Sequence, residues 1–242
     1  MKAATWRNWS FWLLSFTTGL TIATIVSDNI ELSPILAFGI AFVAVGVFVL
    51  GIASSAPYTG PKHAITFVFL AIFGLFTAPV LQHYLSSLLL CALINLSLCV
   101  CGSVTGAFIG YRIQYTWHLF WVAIVSSVVD LYSVFHSSGP SARLIEHPEA
   151  LSLLTLAWPM WGSSDLVPIL GVGDLVFAAL YLSASRRHGL SLMRSLIGLA
   201  IGLFLTLISL YYFRRAIPAL PFLGLGMLLA HPTLLTKAFA QK

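Results

Sequence analysis

LSSLLLCALINLSLCVCGSVTGAFIG, residues 85–110, decides the fold class. No Asp, Glu, Lys or Arg interrupts it. A helix needs about 20 mostly apolar residues to cross a bilayer, and this stretch exceeds that. Its apolar residues run continuously rather than in alternation, so it does not read as a barrel strand. Working outward, seven more stretches read the same way: 10–27, 33–53, 64–81, 115–137, 165–184, 191–213 and 217–235. Only 8% of the chain is charged, against about 25% in a soluble domain. The expected fold is therefore all-α: a polytopic transmembrane bundle of eight, possibly nine, spanning helices. Residues 1–242 form one transmembrane domain, with scaffold helices in 1–113 and the chemistry in 114–242.

The separators carry turn and breaker residues, such as SAPYTGPKH, SRRHG and RRAIP. One further stretch, ALSLLTLAWPMW (150–161), is too short to span and is expected to lie in or re-enter the interface. Basic residues cluster between the apolar runs, where they set topology. The net charge of +5 therefore does not point to nucleic acid. Lys2, Arg7, Lys62, Arg112, Arg186, Arg187, Arg194, Lys237 and Lys242 fall on one side, and Arg143, Arg214 and Arg215 on the other. The positive-inside rule then puts both termini in the cytoplasm. Cys91, Cys99 and Cys101 share one apolar run without a CxxC pair and read as buried thiols. The histidines do not cluster at ligand spacing, and no metal or cofactor is expected.

Of the acids, Asp28 and Glu31 share a loop, and Asp165 after GSS reads as a helix N-cap. Two acids lie well inside apolar segments: Asp130 in AIVSSVVDLYSVF and Asp174 in ILGVGDLVF. A charge at that depth costs at least about 2.5 kcal/mol, so each needs a partner or a use. At 1.5 Å per residue, the two lie about 10 and 13 Å from the same membrane face on consecutive spanning helices. Facing carboxyls share one proton, which equips one as general base and the other as general acid for peptide hydrolysis without metal. The same acids would also suit proton or ion transport. Gly171, Gly173 and Pro168 weaken the helix before Asp174, and Gly173 would let a substrate backbone approach. Pro218 and Pro221 leave 217–221 extended or unwound, with backbone groups free to pair with an extended peptide.

These features resemble the intramembrane aspartyl proteases of the presenilin and signal peptide peptidase family. GVGD (171–174) matches their Gly-x-Gly-Asp motif, PAL (218–220) their Pro-Ala-Leu motif, and Asp130 stands one helix earlier, as their first catalytic Asp does. LTLISLYYFRRAIPALP (205–221) looks especially like presenilin. The resemblance covers roughly residues 115–235. It implies Asp130 and Asp174 as the catalytic dyad, with Gly171, Gly173, Pro218, Ala219 and Leu220 shaping the substrate site. It implies transmembrane helices as substrates, unwound and cut within the membrane; the expected setting is the plasma membrane of a microbe, and the short loops suggest a chain that works without an obligate partner subunit. The chain departs from the family in having Val129 rather than Tyr before the first Asp, with Tyr132 on another helix face. An inactive relative that only binds membrane helices is a further reading.

Overall fold

The computed structural model describes residues 2–27, 30, 32–57, 61–81, 86–136, 138–162 and 165–234. Asp28, Glu31, Lys237 and Lys242, named above, lie outside the described residues, as do the side chains of Lys2 and Lys62.

Among the described residues, five helices are long and apolar enough to cross a membrane: α1 (Lys2–Ser27, from Trp6), α2 (Pro34–Ser55), α4 (Ser87–Gly110), α5 (His118–Phe135) and α9 (Leu192–Phe213). They support an integral, mostly helical membrane protein. The remaining larger helices are α3 (Pro61–Leu81), of which His63–Ala78 is the apolar stretch among the described residues, α8 (Val172–Arg187) and α10 (Leu220–Ala230). Two brief helices, α6 (Pro140–Ile145) and α7 (Pro148–Ser152), lie between α5 and α8. Local sequence sets several ends. Proline opens α2 at its first position, where its missing N–H costs nothing. Ser86 and Ser191 cap α4 and α9 by accepting the N–H of Leu89 and Arg194.

Helix α8 is the centre of the bundle. It packs on α4, α2, α9 and α10, and its residues from Ala178 to Ser185 are all buried. Small side chains (Ala178, Ala179, Ser183, Ala184, Ser185) let its neighbours come close. Gly106 of α4 lies directly against the Val176 carbonyl of α8, leaving no room for a Cβ. Arg186 reaches from the end of α8 to the Ala56 carbonyl at 3.1 Å, satisfying an orphan acceptor at the C-terminus of α2. A residue assigned to topology thus also fastens two helices together.

The all-α expectation needs one correction. Strands β1 (Thr155–Pro159) and β2 (Leu166–Gly171) form an antiparallel hairpin with a register shift between Leu156 and Ala157. Residues 166–171 therefore belong to no helix, and α8 begins only at Val172. Asp165 does not cap a helix; it precedes β2, where its carbonyl accepts the Met160 N–H at 3.0 Å. Part of 150–161 is strand β1, packed into the bundle. Trp158 is buried, with ring contacts to Phe16 and Phe48 at 5.6 and 5.7 Å.

Asn95, the one amide side chain of α4, holds this hairpin in place. Its amide donates to the Ala157 carbonyl at 2.8 Å and accepts the Ala157 N–H at 3.0 Å. Asn95→Leu strands both backbone groups away from water, at about 1–3 kcal/mol each. We expect it to lower the thermal unfolding midpoint of the purified protein. An unchanged midpoint would mean that the hairpin is held by its apolar contacts alone.

Candidate active site

Asp174 is the third residue of α8, in the first turn, with Gly171 at the N-cap. Its carboxyl reaches back to the Gly171 backbone N–H, as the acid of a capping box does. The depth expected for Asp174 presumes helix from 165. The chain arrives instead as strand, which rises about twice as far per residue.

Asp130 lies in the last two turns of α5. Its carboxylate accepts the Leu220 N–H at 3.0 Å. Leu220 is the first residue of α10, so its N–H has no partner within that helix. Pro221, next in line, has no N–H to compete. The chain from Arg214 to Ala219 is not helical, and Pro218 and Ala219 are buried. The Pro-Ala-Leu-Pro sequence thus ends one irregular segment and presents a single free donor, at the positive end of a helix, to a carboxylate.

Asp130, Asp174, Gly171, Gly173, Pro218, Ala219 and Leu220 all line one cavity of about 400 Å³. The two carboxyls are near enough to interact electrostatically. A Cβ added at Gly173 would meet nothing within 4 Å, so this glycine faces open space and is not a helix-packing residue. Ser141, Leu144 and Leu151 from the α6–α7 segment form another wall. That segment is tied to α5 by the Ser133 hydroxyl, which accepts the Ser141 N–H at 3.0 Å. Tyr132 does not line the cavity; its ring stacks on His136 at 4.7 Å on the exposed face of α5. Val129 is exposed as well.

The sequence reading missed β2 as a wall of this cavity. Residues 168–171 line it, and among the described residues no third strand pairs with β2. The signals were present: Pro168 and Gly171 within six residues, flanked by β-branched Val167 and Ile169. Chemically, the site offers two carboxyls that could exchange protons with a bound reactant, and an unpaired strand edge beside them.

No family model matches the chain. Over 115 residues it is 33% identical to Presenilin-B of Dictyostelium discoideum, a stretch that makes up 45% of the chain and 24% of that protein. The chain thus covers about a quarter of the length of this curated relative. The likeness supports a presenilin-like family.

Proposed function

We propose that the protein is an intramembrane aspartyl endopeptidase that hydrolyses peptide bonds in transmembrane helices. The observation that carries this reading is the convergence of Asp130 and Asp174 on one cavity walled by an unpaired strand edge. A helical substrate hides its carbonyls in hydrogen bonds four residues apart, so it must unwind before it can be cut. The free edge of β2 gives an unwound segment backbone partners, which offsets part of the cost of opening it. One carboxylate takes a proton from water, and the resulting hydroxide equivalent adds to the scissile carbonyl. The other, protonated, gives its proton to the carbonyl oxygen. Collapse of the diol breaks the C–N bond, with a proton passing to the leaving amine. Leu220 holds Asp130 in position through its N–H.

The substrates are single transmembrane or signal-peptide helices, and the enzyme works as one transmembrane unit without obligate partner subunits. It resides in the plasma membrane of a microbe with both termini in the cytoplasm. The test is cleavage of a fluorogenic transmembrane peptide by purified protein, with and without a transition-state analogue of aspartic proteases. Cleavage blocked by the analogue is the expected result. Proton or solute flux in proteoliposomes with no cleavage across several peptides would assign the acids to transport instead.

A further inference from the structure

A second cavity system lies along the outer faces of α2 and α9, apart from the site above and independent of the protease reading. Its wider part, about 560 Å³, sits between Phe38 of α2 and Leu210 and Tyr211 of α9, with Arg214 and Arg215 lining it. A narrower part of about 160 Å³ continues past Leu207, which lines both, to Gly46 and Ala200. From Ala200 to Arg214, α9 rises about 21 Å, more than the roughly 15 Å of one hydrocarbon leaflet. The walls are apolar throughout, and the arginines stand at one end.

Those arginines are unusual in three ways. On the sidedness expected from the sequence, they fall with Arg143 on the side that holds three of the chain's twelve basic residues. Arg214 takes the left-handed conformation, φ 51°, the one positive φ at a non-glycine among the described residues. Among the described residues neither guanidinium makes an ion pair; Arg215 lies over the rings of Phe135 and Phe213 at 5.5 and 5.8 Å. Two exposed cations without a carboxylate partner among the described residues, beside a hydrocarbon groove, suit an anion that carries its own apolar chain.

We propose that this groove holds one anionic glycerophospholipid, its phosphate on Arg214 and Arg215 and one acyl chain between α2 and α9. Volume separates this occupant from a further helix. A helix of about 10 Å diameter and the same 21 Å length displaces roughly 1,600 Å³, more than twice what the two cavities offer.

The test uses the full chain purified in detergent and equilibrated with equal amounts of phosphatidylglycerol and phosphatidylcholine of matched chains. Retained lipid is counted by native mass spectrometry. Wild type should prefer phosphatidylglycerol by about fivefold per arginine. The double variant Arg214→Gln, Arg215→Gln should lose the preference, and the Arg→Lys pair should keep most of it. Leu207→Trp, which fills the groove below the arginines, should lower retention of both lipids. Millimolar inorganic phosphate should not displace the lipid. Four results would overturn the proposal: no preference in wild type, a preference that survives the Gln pair, retention unaffected by Leu207→Trp, or displacement by phosphate alone. So would cross-linking of a second copy through Val43→Cys that excludes the lipid.

Discussion

On the proposed mechanism, Asp174→Asn is expected to lower the cleavage rate of a transmembrane peptide by about 10²–10⁴-fold, the range that one general acid or base contributes. Asp130→Asn should do the same. The double variant should be hardly slower than either single one, if the two groups act as a unit on one proton inventory. Both substitutions keep the shape of the side chain. In Asp130→Asn the new amide oxygen can still accept the Leu220 N–H, so the unfolding midpoint should move by no more than a few degrees. The wild-type pH profile should be a bell: at low pH both carboxyls hold protons and the base is lost, and at high pH neither does and the acid is lost. A folded Asn variant that cleaves at the wild-type rate would remove that residue from the mechanism. A plateau at high pH would contradict the shared proton.

Gly173→Leu separates two roles that glycine can serve next to an acid. If Gly173 packed helices together, a leucine would push α8 from its neighbours and destabilise the fold. Its Cβ position instead meets nothing within 4 Å and opens on the cavity. The fold should therefore tolerate leucine, which also suits a helix better than glycine by roughly 1 kcal/mol. The new side chain would stand where an unwound substrate must bring its backbone towards Asp174. We expect cleavage to fall by at least about 100-fold, since a misplacement of 1 Å already costs that much, while the unfolding midpoint holds or rises. Gly173→Ala should fall between. Full activity in Gly173→Leu would mean that the substrate does not approach over this residue.

The long helices were legible because each is a run of apolar residues ended by breakers. Residues 191–213 were expected and Leu192–Phe213 is observed; 85–110 became Ser87–Gly110. The unwound approach to Leu220 was legible in part. Residues 217–219 are irregular, whereas Leu220 and Pro221, expected to be extended or unwound, open α10, whose first turn tolerates a proline. The Leu220 N–H is taken by Asp130. The hairpin was not legible. A short apolar run looks the same whether it is a buried strand or the start of a buried helix, and 165–184 reads as one stretch by hydropathy. What divides it is tertiary: β1 supplies its hydrogen bonds, and the Asn95 side chain fixes β1. Neither is visible at a spacing of a few residues. The cavity's membership followed from motif positions, whereas its strand wall depended on pairing that no local pattern records.

The Asn95 amide has a consequence for solubility in the broad sense. By occupying both backbone groups of Ala157 it stands where a third strand would have to begin on that side. If that block keeps a third strand off β1, only the β2 edge is open to one, and in bonding terms the hairpin is monovalent. A monovalent sheet can accept a single added strand and then stop, whereas fibril growth needs every unit to bind on both sides. If the chain receives extended, apolar peptides as proposed, it carries its own terminator against polymerising with them.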